Sequence, residues 1–190
     1  MKRILLVILT ASLAIGTQSA QAQSRLTFTS SQDSLLGHGQ VVDLTSTLYA
    51  FDDISPAGLG RFSLQIHTAD FSDTWGITFA VPVGTGDFQV GRYDNAQKFP
   101  FQTAGHPGLN LYGPAAYSQL DGYFQVLSFQ RTDGVITEAS IGFYQHSTLG
   151  GTGNASEYGF LNYVAPVPEP ATLILGGLGA ALLLLFRRPK

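Results

Sequence analysis

The chain has 190 residues, 22 glycines, no cysteine, 12% charged residues and a formal net charge of −3. That length suits one modest domain, and an aromatic content of 12% supplies a core, so composition excludes a disordered chain. The absence of cysteine excludes a disulfide framework, a thiolate zinc site, a thiol nucleophile and a redox pair.

The chain opens on Met1-Lys2-Arg3, runs apolar from Ile4 to Ile15 and reaches Ala20-Gln21-Ala22. A basic start, a short apolar run and an A-x-A site predict a signal peptide over 1–22, cleaved after Ala22 by the general secretion machinery. The apolar run falls short of the roughly 20 residues that span a bilayer.

Residues 23–164 alternate with period two. Phe62, Leu64 and Ile66 share one face of a strand. Trp75, Ile77, Phe79 and Val81 repeat the pattern, with Thr74, Gly76, Thr78 and Ala80 on the wetter side. Val135, Ala139, Ile141 and Phe143 form a third stripe. Further strands are predicted at Leu26–Thr29, Val41–Ala50, Asp87–Val90, Tyr123–Phe129 and Tyr158–Val164. Turn residues punctuate them at Asp52-Asp53, Ser55–Gly58, Gly84–Gly86 and Thr132–Gly134, the last reading as a hairpin. Gly91–Tyr117, with three prolines, is expected to be an irregular connection across one end. About eight short strands without helical periodicity predict an all-β fold, a two-layer antiparallel sandwich or jelly roll. The single tryptophan, Trp75, is expected in its core.

The C-terminus has three parts in order. Residues 165–170 form a Pro-rich linker ending in Pro168-Glu169-Pro170; Ala171–Phe186 is uncharged; Arg187, Arg188 and Lys190 follow. As a helix, the 16 residues 171–186 extend about 24 Å, against a hydrocarbon core of about 30 Å. The basic cluster is expected to stay cytoplasmic as a stop-transfer signal, leaving residues 187–190 inside and the body outside.

This tail resembles the PEP-CTERM sorting signal of Gram-negative bacteria that make extracellular polysaccharide. The resemblance implies recognition by exosortase, a membrane enzyme that removes the tail. The chain would be anchored briefly in the membrane and then reach the cell surface or medium. The prolines keep Pro168–Pro170 extended and outside the helix.

The body resembles a small family of secreted bacterial β domains. The match runs through Trp75–Pro82, Gly91-Arg92-Tyr93, Ala96–Gln102, Pro107-Gly108-Leu109, Gly122–Val126, Phe143–His146 and Gly159–Tyr163. Many members carry a cysteine pair where this chain has Tyr117 and Ser147, so the resemblance implies the fold without that staple. It implies no activity.

Side chains that could carry chemistry are scattered. His38, His67, His106 and His146 lack ligand spacing, so a zinc site requires convergence of distant loops. Asp52 and Asp53 fit turn chemistry, with calcium binding or glycosidase carboxylates as competing readings. Glu138 and Glu157 are the glutamates of the body. No nucleophile elbow or phosphate loop is present. No cofactor or metal is expected. Between Gln23 and Val167, five basic residues stand against twelve acidic ones, a balance of −7 that opposes a nucleic-acid partner.

Tyr93, Tyr112, Tyr117 and Tyr123 gather in or beside the irregular stretch. Sugar rings stack on aromatic faces, so these four are the candidate glycan contacts. The competing reading packs them beneath the long connection. The expectation is a non-enzymatic exported protein with a structural or binding role beside exopolysaccharide or biofilm. A carbohydrate-binding module, marked by an exposed aromatic platform, and a carbohydrate-active enzyme, marked by a convergent acid and base, are the alternatives.

Overall fold

The computed structural model describes residues 23–56, 58, 60–148 and 155–166. The expected signal peptide, sorting motif, apolar segment and basic tail lie outside these residues.

The described residues form ten strands: β1 (Arg25–Ser30), β2 (Val41–Thr45), β3 (Ala50–Asp53), β4 (Arg61–His67), β5 (Thr74–Ala80), β6 (Gly91–Lys98), β7 (Gly108–Tyr112), β8 (Leu120–Thr132), β9 (Val135–Ser147) and β10 (Ser156–Val164). They pair in the order β2-β1-β10-β9-β8-β6-β7-β5-β4-β3. The fold is therefore all-β as expected, but it is one continuous sheet rather than two layers. Pairing is antiparallel except between β6 and β7, which run parallel.

The sheet curls until its two halves face each other. Phe62 on β4 meets Tyr163 on β10, with ring centroids 5.4 Å apart, and Phe28 on β1 meets Trp75 on β5 at 5.6 Å. Strands β2 and β3 form opposite edges, yet they are consecutive and joined by residues 46–49 alone. A connection that short forces the two edges to approach. Burying both halves around one interior removes the apolar stripes of β1, β4, β5, β7, β8, β9 and β10 from water together. Trp75 lies in this core as expected.

Local chemistry explains several departures. The run Val41–Ala50 is not one strand, because Leu48 and Tyr49 N–H both donate to the Thr45 carbonyl and close a turn. The Gly91–Tyr117 stretch is not irregular throughout and supplies β6 and β7. Its pattern is broken by a register shift between Tyr93 and Ala96, with Asn95 left-handed at φ 56°. The Asp133-Gly134 hairpin forms as expected, with both residues at positive φ, 52° and 82°.

The second face of β5 is dry, contrary to the alternation. Tyr112 lies across Gly76, where an added Cβ would sit 2.2 Å from the ring. Thr78 donates to Ser63 within the buried layer at 3.0 Å. Phe99 and Gln102, from the β6–β7 connection, lie against Gly108 at about 3.0 Å from a notional Cβ. Small residues on this face admit a covering segment that period-two reasoning does not foresee.

Candidate functional site

Successive side chains of a strand emerge on opposite faces. On β8, β9 and β10 the core takes Phe124, Phe143 and Leu161. Tyr123, Tyr144 and Tyr158 consequently stand on the solvent side. The register places Tyr144 opposite both Tyr123 and Tyr158, so three tyrosines cross three adjacent strands in one row. Phe160 stands opposite Gly142, which in turn stands opposite Gln125.

The Tyr123 and Tyr144 rings stack with centroids 5.6 Å apart and 26° between planes. On the far side of β8, the Arg92 guanidinium covers Tyr123 at 3.6 Å from its centroid. Asp94 accepts from Arg92 Nε at 2.6 Å and fixes it there. Tyr123 is thus held between a cation and a second ring, an arrangement each neighbour stabilises. Tyr158 is 61% exposed and keeps its ring open to solvent. Asp121 and His146, 3.2 Å apart, close one end of the strip. The strip offers phenol hydroxyls, one open ring and a guanidinium, groups that suit shallow contact with a hydroxylated chain.

The four tyrosines named from sequence separate. Tyr123 belongs to this strip. Tyr112 is half-buried with its ring on Gly76. Tyr93 stacks inward on Phe124 at 4.7 Å, and its hydroxyl bridges the Gln89 backbone. Tyr117 is 3% exposed and is no glycan contact. Tyr144 and Tyr158, which complete the row, were not among the tyrosines named from sequence. Each sits on the polar side of its strand, but only the β8–β9–β10 register shows that they align.

Tyr117 belongs instead to a buried polar cluster around Glu157, which is 0% exposed. Tyr117 donates to Glu157 Oε1 at 2.7 Å, the Ser34 hydroxyl donates to the same oxygen, and Gln145 Nε2 donates to Oε2 at 3.0 Å. The Leu36 N–H donates to Ser34 and the Leu111 N–H to Gln145 Oε1, both at 3.0 Å. Burial, with the Glu157 carboxylate close by, pushes the Tyr117 phenol up to about 12. Glu157 ties the 31–40 loop, the segment before β8, β9 and β10 together. Sealed from water, it is not placed to meet a substrate.

The remaining candidates serve local structure. His67, 7% exposed at its side chain, has Nε2 2.9 Å from Asp52 Oδ2 and Nδ1 2.7 Å from the Thr68 carbonyl. Its ring stacks on Phe71 at 3.8 Å. The Thr68 carbonyl and then Asp52 raise its pKa, because both ring nitrogens face acceptors. Asp52 and Asp53 lie in β3 and not in the expected turn; Asp53, the last residue of that strand, accepts from the Ser55 N–H at 2.9 Å. Glu138 accepts from Ser128 at 3.0 Å. His106 Nδ1 lies 3.1 Å from the Asn95 carbonyl, and His38 takes φ 49° in an exposed turn. Among the described residues, no three His, Asp or Glu side chains converge as a metal site.

Residues 166–188 match the model of the PEP-CTERM protein-sorting motif. The match covers Pro168, Glu169, Pro170, the apolar run, Arg187 and Arg188, and it supports export and exosortase sorting to the surface of a Gram-negative cell. It does not reach the body, and no comparison shows the expected likeness of the body to small secreted β domains. No curated protein and no solved structure matches the chain.

Proposed function

We propose that this PEP-CTERM chain is a non-enzymatic surface protein placed with extracellular polysaccharide, and that the tyrosine strip of β8–β10 is its contact with glycan. The sorting motif supports delivery to the surface. The observation that carries the binding role is the row Tyr123–Tyr144–Tyr158, with Tyr158 open to solvent beside Phe160 and Arg92 stacked at the other end. Stacked neighbours fix Tyr123 and Tyr144 in place, so little rotamer entropy is lost when a chain lies across them.

The same reading anchors the body transiently through 171–186 until exosortase cuts. The non-enzymatic part is supported by the state of the carboxylates. Asp43, Asp87 and Asp94 are paired with Arg25, Arg131 and Arg92, Asp52 with His67, and Glu157 is buried. A glycosidase needs an acid and a base on opposite sides of one open cleft.

The test is a glycan array probed with the full chain in mild detergent, with hydrolysis of the same glycans followed in parallel. Binding without turnover supports the reading. Turnover replaces it with the enzyme alternative, and absence of any bound glycan removes the polysaccharide role.

A further inference from the structure

A cleft of about 510 Å³ opens between the Val81–Gly86 turn and the Phe99–Gln102 segment, away from the tyrosine strip. Its volume lies within the range of small-molecule sites. Arg61, Val83, Gly84, Phe99 and Gln102 line it, and Ala80, the partner of Arg61 across β4 and β5, leaves room beside the guanidinium. The guanidinium carbon lies 5.2 Å from the Phe99 ring centroid. Val83 and Phe101 are exposed at the turn and on the facing segment.

Arg61 differs from every other basic residue of the body. Arg25, Arg92 and Arg131 pair with Asp43, Asp94 and Asp87, and Lys98 donates to the Tyr117 carbonyl. Among the described residues, Arg61 has neither an acid partner nor a hydrogen-bond acceptor, and its Nε is shut off from water without one. The Gln102 Oε1 is likewise buried and unpartnered. Buried polar atoms in folded proteins are almost always satisfied. Of the four side-chain exceptions among the described residues, Arg61 Nε and Gln102 Oε1 belong to residues lining this one cleft.

An unpaired guanidinium is a forked donor suited to an oxyanion, and the Gln102 amide N–H, which no acceptor among the described residues occupies, donates to a hydroxyl oxygen. Asp87, next to the cleft glycine Gly86, is neutralised by Arg131 at 2.8 Å and does not oppose an anion there. The −7 balance of the body still disfavours a dianion or a polyanion, whereas one guanidinium balances one carboxylate. We infer that this cleft binds a small hydroxylated monocarboxylate of the sugar-acid class, its carboxylate on Arg61, a hydroxyl on Gln102 and its apolar side toward Phe99 and Val83.

The experiment titrates the full chain in mild detergent with D-glucuronate, D-glucose and inorganic phosphate by ligand-observed NMR. It is repeated on Arg61→Met, which keeps the stem over Phe99, and on Arg61→Lys, which keeps the charge without the fork. Melting temperature is followed for each variant. Glucuronate should bind at least about tenfold more tightly than glucose or phosphate, the worth of one hydrogen bond to a charged group. Arg61→Met should lose that preference at an unchanged melting temperature, and Arg61→Lys should retain part of it. Should Arg61→Met melt early, the graded loss in Arg61→Lys decides. Equal binding of glucose, stronger binding of phosphate, wild-type affinity in both variants, or no glucuronate binding would each overturn the assignment.

Discussion

Phe62 and Tyr163 pack with ring centroids 5.4 Å apart and their planes tilted by 54°, although β4 and β10 lie six positions apart in the strand order. Phe62 also meets Phe129 of β8 at 6.2 Å. One ring thus joins both halves of the curled sheet to its middle. Phe62→Ala should cost about 3–5 kcal/mol, the usual penalty for emptying a packed aromatic site. That is a large share of a typical stability of about 5–15 kcal/mol. Urea unfolding measures it, and a loss below about 1 kcal/mol would mean that the two halves do not close on each other.

The Glu157 cluster makes a different prediction. Tyr117→Phe removes one donor to a buried carboxyl group and should cost about 1.5–3 kcal/mol. Glu157→Ala strands three donors at once and should cost more than Tyr117→Phe. A pH titration of tyrosine absorbance offers a second check. Tyr117 and Tyr163, both pushed up to about 12 by burial, should stay protonated at a pH where a free tyrosine in water, with its ordinary value of 10, is already ionised.

His67 sets the response near neutrality. Its folded pKa lies above the ordinary 6.5, so its stabilisation is complete below that pH and fades as pH rises through the folded value. Melting temperature should therefore fall as pH rises from about 6 to 8, and His67→Asn should flatten that slope. A slope that survives the substitution would assign the effect elsewhere. At the acid end, Asp70 is held down to about 2 by Thr68 and Ser72, so the stability it gives its loop is present above about pH 4 and is lost as pH falls from there to about 2.

How much of this was legible differs by residue. Phe62, Leu64, Ile66, Trp75, Ile77 and Phe79 announce their strands because each element has a strict apolar face. The closure that brings Phe62 to Tyr163 was not legible, since no local pattern records which distant stripe a strand faces. β6 was hidden because its bulge breaks the alternation, and Ala96 is its one buried residue. Tyr117 shows the limit for single residues. Its neighbours resemble loop, and its burial comes from Glu157, forty positions away in sequence. The tyrosine strip needed register as well as composition, while the sorting tail is contiguous and could be read outright.

The tail gives a direct chemical prediction. Chain recovered from the cell surface should begin near Gln23 and lack Arg187 and Arg188 by intact mass. Replacing Pro168, Glu169 and Pro170 with alanine should leave export intact and hold the chain in the inner membrane. Surface chain that retains Arg187 and Arg188 would contradict exosortase processing.

The glycan-contact claim turns on Tyr158, the open ring of the strip. The decisive measurement is co-sedimentation of the full chain with insoluble polysaccharide from its producing cells, comparing wild type with Tyr158→Ala and with Tyr158→Phe. Stacking on one ring contributes about 0.5–1.5 kcal/mol beyond its area, so Tyr158→Ala should weaken binding about threefold to tenfold at an unchanged melting temperature. Tyr158→Phe keeps the ring and should bind far better than Tyr158→Ala. Equal retention of all three proteins would contradict the account, because the polysaccharide would then be held without the face that the fold presents to it.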